Sequence, residues 1–200
     1  MNEHSFKELI KVAQETKDRI RKAAVEIISQ EGFFNTRMQD IADQAGLAVG
    51  TIYNYFSSKD KVLAYIFKAE MKRRMEIMSE LKEKKLSTKE FLKEFLNRHF
   101  SVLIENPHLG RVLVREKDFS RGEKSDQIKD HMNSLIKMLE KLFQAGVQKG
   151  EVKEINTHLM AVYFFGSMQG VIEYSLTQPE MQLLEEAPAF ILERIDHIFN

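Results

Sequence analysis

Between Thr36 and Lys59 the chain sets hydroxyls, an amide and cations at intervals that suit contact with a polyanion. Val49, Gly50, Thr51, Tyr53, Asn54 and Tyr55 lead with small residues, which permit close approach. They continue with groups that can reach phosphates or base edges. Thr36, with Gln39 three residues on, has the form of a capping box, and backbone amides at a helix N-terminus favour a phosphate. Lys59 begins the next helix and is placed for the same strand. Catalytic patterns are absent by contrast. The six histidines show no HxxxH or HExxH spacing, "FGSMQG" is no serine elbow, and no glycine-rich phosphate loop exists. The adjacent carboxylates Glu185 and Glu186 read as an exposed loop next to Pro188. The chain is expected to be no enzyme and to hold no metal and no cofactor.

Those side chains need a scaffold, and apolar residues recur at helical spacing almost throughout. Residues 18–30 put Ile20, Ala23, Ala24, Ile27 and Ile28 on one face, with Gly32 as a stop. Short helices follow to Ala45 and over residues 49–55, then a long one over 58–84. Ser87 and Glu90 form a second capping box, and Asn106-Pro107 ends the helix it opens. Further helices read over 107–119, 125–149, 156–176 and 186–199. No stretch shows strand alternation, so the fold class is all-α. Counting from Met38, Ala42 is fifth, Gly46 ninth and Ile52 fifteenth. Small Ala42 lets two helices pack, Gly46 turns the corner with positive φ, and Ile41, Leu47 and Ile52 seal the core beneath. An αα-corner inside a bundle uses the same spacing. The outward hydroxyls and amide favour a helix-turn-helix whose second helix enters a major groove.

Bulk properties limit the partners. The 200 residues carry 30 basic and 30 acidic side chains, which argues against indiscriminate nucleic-acid binding but not against a small specific reader. There is no cysteine. The start lacks the layout of a signal peptide, and the longest apolar run, Leu159 to Phe165, is far short of a membrane span. A cytoplasmic location and no membrane partner are expected.

Residues from about 16 to 67 resemble the DNA-binding domain of the TetR family of bacterial repressors. The stretch "AAVEIISQEGFFNTRMQDIADQAGLAVGTIYNYFSSKDKVL" carries the resemblance, above all G-T-I-Y-x-Y-F-x-x-K directly after I-A-x-x-A-G. It implies a DNA-binding head over residues 1–60, with its motif at about 38–57 and a connecting helix at 58–84. A ligand-binding and dimerising helical body over residues 85–200 would follow. It also implies that Thr36, Thr51, Tyr53, Asn54, Tyr55 and Lys59 contact the DNA backbone, while Arg37, Val49, Gly50 and part of Tyr53 face bases. Two departures stand out. Ala48 replaces the usual hydroxyl cap of the recognition helix, and Val49 stands where a lysine is common; Val49 would meet a thymine methyl. Lys7 and Lys11 lie on the arm before Thr16, which reads as a frayed helix turn, and Arg73 and Arg74 read as surface residues.

The body is rich in phenylalanine and methionine, a composition that serves either as plain core or as an adaptable apolar pocket. Phe95, His99, Phe100, Met132, Phe143, Phe164 and Met168 are the expected pocket residues, with Phe119 in the same stripe. Gly166 and Gly170, one turn apart, each cost a helix interior roughly 1 kcal/mol, which close helix approach would offset. Within one chain that approach would be intramolecular. The family resemblance instead implies a four-helix dimer interface, with Ile191 and Ile195 on the last helix. The function expected is a dimeric repressor that binds a palindromic operator in double-stranded DNA and responds to a small apolar effector. The head and body look somewhat like repressors of fatty-acid breakdown that answer to long-chain acyl-CoA. The alternative is a helical module acting through a protein partner without operator specificity.

Overall fold

The computed structural model describes the backbone of residues 3–116, 123–178 and 182–200. The side chains of Phe119 and Met132, and the end of the helix expected over 107–119, lie outside the described residues. The elements are α1 (Glu3–Glu31), α2 (Met38–Ala45), α3 (Val49–Tyr55), α4 (Lys59–Glu83), α5 (Thr88–Glu105), α6 (Pro107–Arg115), α7 (Glu123–Gln148), α8 (Thr157–Ser175) and α9 (Leu183–Arg194). A 3-10 turn follows over Asp196–Ile198. Among the described residues, the extended pairing is confined to a single antiparallel bridge between Val152 and Phe199. The all-α expectation holds.

Two compact units divide the chain, Met1–Glu70 and Met71–Asn200, with the boundary inside α4. In the first, Ile20, Ala24, Ile28, Ile41, Ala42, Ile52, Val62 and Ile66 are buried from α1, α2, α3 and the start of α4. α1 runs unbroken back to Glu3, so the segment with Lys7 and Lys11 is helix and not a separate arm. In the second unit, α4 contributes Met78 and Leu81, α5 contributes Phe91, Leu92, Phe95, Leu96, Phe100 and Leu103, and α7, α8 and α9 complete the core.

Local chemistry sets the ends. Ser87 caps α5 as expected: Glu90 N donates to its Oγ at 3.3 Å, and the Glu90 carboxylate accepts from Ser87 N at 2.9 Å. The Glu151 carboxylate accepts from both Thr88 N and Thr88 Oγ1 at 2.7 Å, tying α5 to the turn after α7. These hydroxyl and amide donors hold the Glu90 and Glu151 carboxyls below the usual carboxylate value. Asn106 caps α6, its Oδ1 accepting from Leu109 N at 3.1 Å. The last helix stops at Arg194, short of Phe199, because the chain turns into the 3-10 segment that leads to the Val152–Phe199 bridge. Glu185 and Glu186 lie in the first turn of α9 and not in a loop, where their charge suits the positive end of the helix dipole.

Candidate nucleic-acid interface

The corner between α2 and α3 is built as the spacing predicts. Gly46 adopts φ 61°, left-handed backbone that glycine enters without a Cβ penalty. Leu47 N donates to Ala42 O at 2.9 Å and Gly46 N to Asp43 O at 3.0 Å, the two bonds that close a helix C-terminus. Arg19 Nη2 then donates to Gly46 O at 3.0 Å, fastening the corner to α1. α3 buries Ile52 and turns Gly50, Tyr53 and Asn54 outward, with Val49, Thr51 and Tyr55 half-buried. A Cβ placed on Gly50 would meet nothing within 4 Å, so the leading edge of α3 is open to a close neighbour. Ala48 is the N-cap, and no side chain accepts from the first turn there.

Two expectations about this surface change. α2 starts at Met38 with Arg37 as its N-cap, and Arg37 N donates to Asp40 Oδ2 at 2.7 Å. Thr36 does not cap α2. It is buried, and its hydroxyl donates to Gly32 O at 2.8 Å, closing the turn after α1 and leaving no side chain for a phosphate. Lys59 likewise points inward. Its ammonium donates to the carbonyls of Phe33, Phe34 (3.0 Å) and Thr36 (2.5 Å) and sits 4.6 Å from the centre of the Phe33 ring. It is a clamp on the α1–α2 turn, and its charge is spent on carbonyl dipoles. Arg37 is exposed beside that turn.

In the second unit the expected pocket residues that the structure describes come together in the buried core. Phe95, Phe100, Phe143 and Phe164 are fully buried, and Met168 is 1% exposed. His99 lies among them, its ring parallel to Phe95 at 5.9 Å and edge-on to Phe100 at 5.5 Å. Burial drives its pKa well below 6.5, and the Arg74 and Arg73 charges add to that. Its Nδ1 has no hydrogen-bond partner. Arg73 and Arg74, expected to be solvated or paired, are half-buried and each has an interaction partner. A cavity of about 290 Å³ lies elsewhere, walled by Leu103 and Ile104 of α5, Gly110 and Arg111 of α6, and Ile172 and Ser175 of α8. Sequence reasoning missed it, because its wall mixes aliphatic residues with Arg111, Ser175, Gln182 and Glu185 and carries no aromatic stripe.

α8 carries an outward apolar stripe. Leu159, Val162, Tyr163 and Tyr174 are exposed, and so are Gly166 and Gly170, whose built Cβ atoms would meet nothing within 4 Å. Among the described residues, the glycines do not serve a close approach within the chain. Ile191 and Ile195 belong instead to the intrachain core, at 2% and 1% exposure, while Phe190 is the exposed apolar residue of α9.

Residues 20–66 match the model of the bacterial regulatory proteins of the tetR family, and residues 85–173 match a tetracyclin repressor-like C-terminal domain. The chain is 33% identical over 151 residues to the fatty acid metabolism regulator protein of Bacillus subtilis, covering 75% of this chain and 78% of that one. The chain belongs to the TetR family. Among solved structures, the transcriptional regulator FadR from Bacillus subtilis in complex with stearoyl-CoA superposes with TM-score 0.80 at 30% identity, covering 88% of this chain and 95% of that one. The fatty acid degradation regulator FadR from Bacillus halodurans gives TM-score 0.78 at 29% identity, covering 88% and 97%. Membership makes the chain a helix-turn-helix transcriptional repressor with a ligand-binding domain, and not an enzyme. Among the described residues no group of three or more His, Asp or Glu could hold a metal ion, and no helix is long and apolar enough to cross a membrane.

Proposed function

We propose that this TetR-family repressor binds a palindromic operator as a homodimer in the bacterial cytoplasm and is released by an effector with an apolar chain, an acyl-CoA in the first instance. The observation that carries the DNA part is the α2–Gly46–α3 corner. It leaves Val49, Gly50, Tyr53 and Asn54 on an outward face with room for close approach. With Arg37 at the N-cap of α2, that face supplies small residues for the groove and hydroxyl, amide and guanidinium donors for its rim. Thr51 and Tyr55, half-buried at the edges of α3, are placed to reach the backbone.

Dimerisation is supported by the α8 stripe from Leu159 to Tyr174, together with Phe190 of α9. Its glycines would let two copies of α8 approach closely. Two recognition helices about 34–36 Å apart would then read successive half-sites.

The effector reading is supported by the FadR structure solved with stearoyl-CoA and by the cavity beside α6. At about 290 Å³ the cavity is at the small end for a ligand site. Leu103 and Ile172 are shared between its wall and the phenylalanine core. A long chain would enter past them and re-pack Phe95, Phe100, Phe164 and Met168, the methionine adapting most readily. Release requires only that the effector prefer the released state; a thousandfold loss of operator affinity needs about 4 kcal/mol of differential binding.

The test is selection of operators from random duplex DNA, followed by footprinting with and without acyl-CoA of graded chain length. A two-fold symmetric footprint lost on adding long-chain acyl-CoA is expected. Binding without sequence preference would overturn the operator reading, and a footprint indifferent to every acyl-CoA would overturn the effector reading.

A further inference from the structure

Phe34 presents an aromatic ring at 72% exposure, the highest among the exposed large apolar side chains described. Such a ring in water is ordinarily tolerated only where it costs little or where a partner covers it. Its setting is rigid. The carbonyl of Phe34 is held by Lys59 Nζ, Thr36 Oγ1 donates to Gly32 O, and Asn35 Nδ2 donates to Glu31 O at 2.9 Å. Phe33 underneath is buried, edge-on to Phe34 with centroids 6.2 Å apart. Side-chain donors from Thr36, Asn35 and Lys59 thus hold the carbonyls along this turn, and the ring projects from a turn that need not be ordered on binding.

The turn leads directly into α2. In a helix-turn-helix the first helix crosses the DNA backbone, so what precedes its N-terminus lies at the sugar–phosphate rim. This head carries no net positive charge. Residues 1–70 hold as many acidic as basic side chains, the Lys59 ammonium is committed to carbonyls, and neither the Ala48 nor the Val49 side chain can donate. Contact area at the rim therefore has to come in part from uncharged groups.

We propose that Phe34 is a DNA-contacting residue that packs its ring on a deoxyribose of the backbone flanking each half-site. The inference rests on the operator reading above. Its contribution is apolar: it raises affinity for the duplex without neutralising a phosphate, so it does not alter the salt dependence. The clamped turn presents the ring already oriented, so little ordering entropy opposes the contact.

The chain has no tryptophan, so Phe34→Trp introduces a single indole at the position in question. With a duplex that the wild-type protein has selected from random-sequence DNA, its emission should shift to the blue and become protected from acrylamide on binding. Phe34→Ala should weaken operator binding about tenfold, the loss expected for burying roughly half of a phenylalanine side chain. The slope of log K against log salt should stay unchanged, as should the thermal midpoint, and Phe34→Leu should recover most of the affinity. An unchanged emission on a duplex that still binds, or full affinity in Phe34→Ala, overturns the inference while leaving the operator reading intact. A blue shift that follows protein concentration without DNA also overturns it, because self-association would then cover the ring. Failure of the wild-type protein to select any duplex would remove the operator reading itself, and the inference with it.

Discussion

Lys59 Nζ and the carbonyl oxygen of Phe34 stand 3.0 Å apart, bridging the start of α4 to the turn before α2. With the carbonyls of Phe33 and Thr36 on the same ammonium, this is a charge-assisted cluster, and such bonds contribute about 1.5–3 kcal/mol each when a charged group is involved. Lys59→Met should lower the stability of the head by about 2 kcal/mol in urea unfolding. The salt slope of DNA binding should not change, since no phosphate loses a partner; a slope reduced by about 0.9 would show that Lys59 reaches the duplex after all.

Val49 is half-buried on α3 beside the open edge at Gly50, and on the proposed reading it faces the bases. Val49→Lys should raise affinity for random-sequence DNA and steepen the salt slope by about 0.9 per half-site engaged. Discrimination between the operator and random DNA should fall at the same time, because a thymine methyl loses its apolar contact. Titrations at several salt concentrations on both duplexes measure all three effects.

Gly170 sits on the exposed stripe of α8 with nothing near its missing Cβ. Gly170→Glu should therefore leave the monomer fold intact and even favour the helix by a few tenths of a kcal/mol. Across a two-fold interface it would set like charges against each other, so sedimentation should show dimer dissociation increased more than tenfold. A dimer of unchanged affinity would place the interface elsewhere.

Gly146, inside α7, is a different case. A Cβ there would lie 2.6 Å from Thr88 Oγ1 and 2.7 Å from Val152 Cγ2. Both neighbours are β-branched and stiff, and the Glu151 carboxylate holds the threonine hydroxyl in place. Gly146→Ala gains about 1 kcal/mol of helix propensity but faces an overpacking cost of about 1–3 kcal/mol. Overpacking should win, and the urea midpoint should fall.

His99 makes stability depend on pH. Its folded pKa is depressed, first by burial and then by Arg74 and Arg73, so the unfolded chain binds the proton more readily. That part of the stability is present above the unfolded value of 6.5 and is lost as pH falls through the folded value. As pH falls below 6.5 the slope should reach up to about 1.4 kcal/mol per pH unit for one proton. His99→Leu should flatten this window. A slope that survives the substitution would assign it to another group.

Helices were legible because burial repeats with the period of the helix itself: Ile20, Ala24 and Ile28 need no tertiary knowledge to be placed on one face. Gly46 was legible because few residues accept φ 61° at a corner. The cap of α2 was not, because a threonine hydroxyl serves equally well as a cap acceptor or as a donor to a carbonyl four residues back, and only the backbone path after Gly32 decides. Phe95, Phe100, Phe143 and Phe164 read equally as core or as pocket lining, because both need inward apolar residues. What separates them is the space left over, which no single position encodes. Ile191 and Ile195 illustrate the same limit: periodicity fixes which residues share a face, not whether that face meets its own chain or another.

α3 buries one side chain fully, Ile52, while Gly50, Tyr53 and Asn54 are exposed. Substitutions at such exposed positions usually change stability by less than about 0.5 kcal/mol. On the proposed operator reading, the letters recognised in DNA would thus drift one residue at a time under selection. Each intermediate remains a folded protein, and a new operator preference can arise without a compensating change in the scaffold.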